Sequence, residues 1–139
     1  MTTAMLSEMT YEETTHDIRV AVEPCFLEDQ SEPEDGRYIW AYRVVIENRS
    51  AEAVQLISRY WRITDARGRT REVRGPGVIG EQPTIEPGKS YEYSSGAPLE
   101  TPSGFMTGSY RMRDSKGESF DIIIPMFALD SPYEDRQVH

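Results

Sequence analysis

At 139 residues the chain is long enough for one domain with its own core and too short for a second complete one. Hydrophobic residues at 37% and charged residues at 28% suit a globular protein and argue against disorder, while nine prolines and ten glycines disfavour a helical bundle. The net charge of −9 belongs to one end: residues 1–35 carry ten acids against Arg19, and the remainder balances fourteen acids with fourteen bases. Such a balance argues against general nucleic-acid binding, which needs a basic footprint.

The first fifteen residues show no clear periodicity. Asp17–Glu23 then alternates, with Ile18, Val20 and Val22 on one side, as a half-buried strand does. A polar loop over 28–36 follows, with Pro33 and Gly36. Tyr38–Glu47 is a long strand whose Tyr38, Trp40, Tyr42, Val44 and Ile46 share a face, and Asn48-Arg49-Ser50 turns it. Val54–Thr64 is rich in β-branched and aromatic residues. Asp65–Gly68 has the composition of a hairpin turn, from which Arg69–Val73 returns. After an irregular Gly/Pro segment over 75–88 come strands over 90–95, 104–113 and 118–127, the last two joined by a turn at Asp114–Gly117.

About seven strands and no helical stripe predict an all-β, immunoglobulin-like sandwich, because each apolar strand face needs a partner layer. The single domain spans 11–132, between a leader over 1–10 and a tail over 133–139. Ile85-Glu-Pro-Gly-Lys-Ser-Tyr91 fits either the tyrosine corner of fibronectin type III domains or an ordinary Pro-Gly turn. The start lacks a basic and apolar signal segment, and the most apolar run, Ile122–Leu129, is too short to cross a bilayer and contains Pro125. The expected compartment is the cytoplasm, with no membrane partner.

Few constellations offer chemistry. Gly75-Pro-Gly77-Val-Ile-Gly80 satisfies G-x-G-x-x-G, but Pro83 and Pro87 deny it the helix that a dinucleotide fold requires. Two readings remain: an anion nest in which Gly75, Gly77, Gly80 and Arg74 hold a polyphosphate, or glycines that merely permit a tight connection. Arg59, Arg62, Arg67, Arg69, Arg71 and Arg74 crowd into sixteen residues. They form a candidate protein-interaction surface, or a solvated face with incidental ion pairs. If Arg67–Arg71 is strand, Arg67, Arg69 and Arg71 share a face.

The acids Glu28, Asp29, Glu32, Glu34 and Asp35 lack EF-hand spacing. His16 and His139 lie near opposite termini and Cys25 is alone, so no metal site or cofactor is expected. Cys25 reads as a small buried or edge residue. No nucleophile elbow is present, and no catalytic residue is assigned. Adjacent Tyr60 and Trp61 face opposite ways on a regular strand, with Trp61 the core candidate.

Ser58-Arg-Tyr-Trp-Arg-Ile-Thr-Asp65, the run Gly68–Gly88, Tyr93-Ser-Ser-Gly96, Thr101–Tyr110 and Ile124–Leu129 together resemble the bacterial ApaG family, also called CorD. The resemblance covers about Tyr11 to Asp130. It implies a fibronectin type III-like sandwich, an association with cobalt and magnesium resistance or efflux, and protein binding as in related eukaryotic domains. It also implies a pyrophosphate-binding proposal for the glycine motif, and no established catalytic residue. The resulting expectation is a non-enzymatic interaction module with a protein partner, or alternatively a polyphosphate binder; edge exposure and charge asymmetry permit a homodimer.

Overall fold

A computed structural model describes residues 10–133. The expected leader and tail lie outside the described residues except for Thr10 and Tyr133. Among the described residues nine strands form two antiparallel sheets: β1 (Tyr11–Thr15), β2 (Ile18–Phe26), β3 (Tyr38–Asn48), β4 (Val54–Asp65), β5 (Thr70–Pro76), β6 (Thr84–Ile85), β7 (Ser90–Leu99), β8 (Gly104–Asp114) and β9 (Ser119–Leu129). One sheet runs β1-β2-β3-β7; the other runs β5-β4-β8-β9, with β6 beside β4.

The predicted sandwich is therefore present, with two strands more than expected. β1 lies within the stretch that shows no periodicity, because Glu12, Glu13 and Thr14 are all exposed on this edge strand. It turns into β2 through His16 and Asp17, whose φ angles of 52° and 63° make a two-residue hairpin. β6 is only two residues long, inside the irregular Gly/Pro segment.

The core follows from strand alternation. On β3, Tyr38, Trp40, Tyr42, Val44 and Ile46 point between the sheets, facing Trp61, Tyr110, Ile122, Ile124 and Phe127 from the second. Trp61 is buried as expected and sits edge-on to Tyr42 at 5.3 Å and to Phe127 at 5.9 Å.

Buried polar groups hold the connections. Asn48 donates to the carbonyls of Glu52 and Ile85, each at 2.8 Å, and its Oδ1 accepts from the Ser50 amide and hydroxyl. The predicted turn at Asn48 is thus fastened to β6, since a fully buried amide must find partners. Thr101 links the β7–β8 connection to the turn after β4, accepting from the Ala66 amide at 3.0 Å.

Candidate functional site

The second sheet carries most of the crowded arginines, and its register sorts them. Trp61 and Ile63 point inward, so Tyr60 and Arg62 point out, as do their partners Ser109 and Thr107 on β8 and Arg74 and Glu72 on β5. Ile123 pairs with Ser109 and continues this outer face, which also bears exposed Phe105 and Met126. The result is an apolar strip along β8 and β9 beside a cationic strip along β4 and β5.

The cationic strip is ordered by contacts. Tyr60 Oη donates to Glu72 at 2.6 Å, and the Arg74 guanidinium lies 4.6 Å from the Tyr60 ring centre and 3.4 Å from the same carboxylate. That hydrogen bond holds the Tyr60 hydroxyl above its ordinary pKa and the Glu72 carboxyl below its own. Arg62 makes no hydrogen bond or ion pair with another described residue.

The remaining arginines go elsewhere. Arg59 shares the inward parity of Trp61, and its Nη1 donates to the carbonyls of Pro76 at 3.0 Å and Gly77 at 2.9 Å. Arg67 lies in the turn, because the strand begins only at Thr70; the shared face of Arg67, Arg69 and Arg71 is not formed. Arg69 is bound to Asp65 at 2.7 Å and lies 3.7 Å from Glu100. Arg71 falls on the inward side of β5 and lines an open cleft of about 570 Å³ with Arg37, Ile63, Pro98 and Leu99.

The glycine motif opens no helix: β5 runs through Pro76, and β6 follows. Gly77 is buried with φ +58°, and a Cβ there would meet the Glu81 carbonyl oxygen at 2.1 Å. Its amide donates to Ile57, while Val78 and Glu81 exchange hydrogen bonds of 2.9 Å. Between them Ile79 and Gly80 form a tip with φ 42° and 81°. Ile79 is 59% exposed there, in a conformation that β-branched residues avoid. The guanidinium of Arg59 occupies the space a side chain would take at Gly75.

Tyr91 is not a tyrosine corner. Its hydroxyl donates to the Glu81 side chain at 2.7 Å rather than to upstream backbone, and Pro87-Gly88 is a turn ahead of β7. Burial, with help from Glu81, pushes Tyr91 up to about 12. Deeper in, Tyr93 and Tyr110 share a hydrogen bond of 2.5 Å, and burial raises both hydroxyls well above the ordinary value.

Among the described residues, no three His, Cys, Asp or Glu side chains converge as a metal site. Of the 28–35 acids, Glu28, Asp29, Glu34 and Asp35 lie in two short 3-10 turns and Glu32 precedes the second, Cys25 is exposed, and the His16 ring stacks edge-on to Phe120. No helix among the described residues is long and apolar enough to cross a membrane. The cleft escapes sequence reading because it joins residues from segments distant in the chain. Arg71 belongs to the crowded arginines, whereas Arg37 carries no local motif.

Comparisons agree with the resemblance. A family model described as the ApaG domain matches residues 28–114. Protein ApaG of Rhizobium leguminosarum is 61% identical over 122 residues, covering 88% of this chain and 94% of that protein. Protein ApaG of Paramagnetospirillum magneticum is 58% identical, covering 89% and 95%. A crystal structure of a Bordetella pertussis protein named ApaA superposes with a TM-score of 0.82 at 43% identity, over 86% of this chain and 97% of that one.

Proposed function

Because the chain belongs to the ApaG family, we propose that it is a non-catalytic, cytoplasmic interaction module that supports cobalt and magnesium tolerance indirectly, by holding a protein partner. The observation that carries this reading is the outer face of the second sheet, where Tyr60, Arg62 and Arg74 lie beside exposed Phe105, Ile123 and Met126. Aromatic and arginine side chains next to an apolar strip are what binding hot spots are built from. Affinity capture from a host-cell lysate tests it. Native protein is expected to retain partners that Arg62→Glu/Arg74→Glu and Phe105→Ser/Met126→Ser both lose. An unchanged partner set with both folded variants overturns the reading.

The polyphosphate alternative is the weaker one. The amides of Gly77, Val78 and Glu81 are already engaged inside the loop, and Arg74 is held by Tyr60 and Glu72. Only the Ile79 and Gly80 tip would be left to meet a phosphate. Titration with ATP and pyrophosphate, followed by amide shifts over 75–81, distinguishes the two.

A further inference from the structure

The outer face of the second sheet offers side chains but no backbone. Its middle strands, β4 and β8, are paired on both sides, so no segment can join the sheet there as a strand. A sheet face is covered by a second sheet or by a helix. A single segment laid on it satisfies its own backbone groups only as an α-helix. The width agrees: β9, β8 and β4 together span about 10 Å, which is one helix.

Along the strands, the exposed apolar side chains are spaced for such a helix. Phe105 pairs with Ala128, and Ile123 pairs with Ser109, four residues further along β8. Met126 stands between them, where the register of β8 and β9 shifts. Four residues of strand make about 14 Å, and helix positions i, i+4 and i+8 cover about 12 Å.

Charge is one-sided across the strip. The outward arginines are Arg62, Arg74, Arg111 and Arg113, against the carboxylates of Glu72 and Asp121. Arg111 holds Asp121 at 3.0 Å. Glu72 lies directly across from Arg62 but is taken by Tyr60 and Arg74, so two guanidiniums share one carboxylate on the β4–β5 side. Arg113 has no carboxylate within ion-pair distance among the described residues. On the other side the sign reverses. Glu13 lies between Tyr11, whose ring meets Phe127, and Thr15, which accepts from the Ile123 amide, so it stands at the β9 rim. We propose that this face receives an amphipathic helix of a partner protein. Its apolar stripe lies on Phe105, Met126 and Ile123, its acidic flank lies over Arg62 and Arg74, and its flank over Glu13 is free of acid. The described residues of this chain form strands and 3-10 turns only, so a second copy has no such helix among them to give. The inference rests on the reading of this face as the partner site, and names what occupies it.

The test uses the full chain and a labelled peptide of about fifteen residues, stapled on its outer side because an isolated helix of that length is marginal. It carries Leu along one stripe, Glu on one flank and Gln on the other. One companion replaces Glu by Lys; a second has a central proline and no staple. Fluorescence anisotropy reads binding, and NMR shifts locate it. The acidic helix is expected to shift Phe105, Thr107, Ser109 and Ile123, and to bind at least about tenfold more tightly than either companion. The chain carries a net charge of −9, so long-range attraction favours the lysine companion, and a preference for acid reports the local guanidiniums. Arg62→Glu and Met126→Ser are each expected to weaken binding by about tenfold, with the amide spectrum otherwise native. Equal or tighter binding by either companion, shifts centred elsewhere, unchanged binding to both variants, or no binding at millimolar peptide would each overturn the helix. If the paired variants above still lose their lysate partners, that failure strikes the occupant alone and the face stands. If they keep them, face and helix fall together.

Discussion

The two ends of β5 are built from the same residue types and put to opposite uses. At its start, the turn Asp65–Arg69 displays Arg67 and Arg69 to solvent around one carboxylate. At its end, Gly75–Gly80 folds inward and Arg59 reaches across to hold two backbone carbonyls. Strand parity makes the difference: a guanidinium on the side of Trp61 is turned toward the loop and takes the carbonyls of Pro76 and Gly77. Arginine density alone therefore does not mark a binding surface. The face on which each arginine emerges does.

The largest effect should come from breaking the inner end. Gly77→Ala forces a left-handed alanine and drives its Cβ into the Glu81 carbonyl, so a loss of about 2–4 kcal/mol is expected in denaturant unfolding. A loss below that of an ordinary surface change would mean the loop relaxes freely. Next is alkaline pH, through the tyrosines that Arg59 neighbours. Burial holds the Tyr93 and Tyr110 hydroxyls above their ordinary 10.0, so the unfolded chain gives up these protons first. Stability should be intact below about pH 10 and fall above it, by up to about 1.4 kcal/mol per pH unit for each tyrosine. Tyr93→Phe should flatten that decline in calorimetric melts; an unchanged slope would place its origin elsewhere. Arg59→Met should cost about 1–2 kcal/mol by unbinding the two carbonyls, an amount tempered by water reaching the Pro76 side.

Much of this contrast was open to sequence reading, and some was not. Alternation in β3 and the placing of Trp61 in the core already imply that Arg59 and Ile63 share the inward side, so the role of Arg59 had a signal that residue counting overlooked. β1 had none, because a polar edge strand carries no apolar alternation and His16-Asp17 is not a typical hairpin pair. The glycine motif was legible as a tight connection, yet the closeness of Gly77 to Glu81 depends on where the chain returns. The cleft brings Gly36 and Arg37 beside β5 and β7, and the outer strip sets Phe105 on β8 on the same face as Ile123 and Met126 on β9. Both arise from sheet assembly rather than from local pattern.

A gain should separate the ends further. Ile79→Asn replaces a residue that resists φ 42° by one that tolerates it, and the exposed isoleucine gives up little burial. Stability should rise by about 0.5–1 kcal/mol in urea unfolding. A fall would mean that the Ile79 side chain packs against the loop more than its exposure suggests.

The smallest effect belongs to the outer end. Arg69 sits 2.7 Å from Asp65, but its side chain is 51% exposed, and the turn does not depend on that contact. Asp65 already accepts the Arg67 and Arg69 backbone amides at 2.9 and 3.0 Å, whatever side chain position 69 carries. Arg69→Ala should therefore shift stability by no more than about 0.5 kcal/mol, whereas Asp65→Ala, which removes the amide acceptor itself, should cost about 1 kcal/mol. If urea unfolding instead ranks Arg69→Ala beside Arg59→Met, the guanidinium at the outer turn is as structural as the one at the inner loop. Parity would then have failed as the rule that tells them apart.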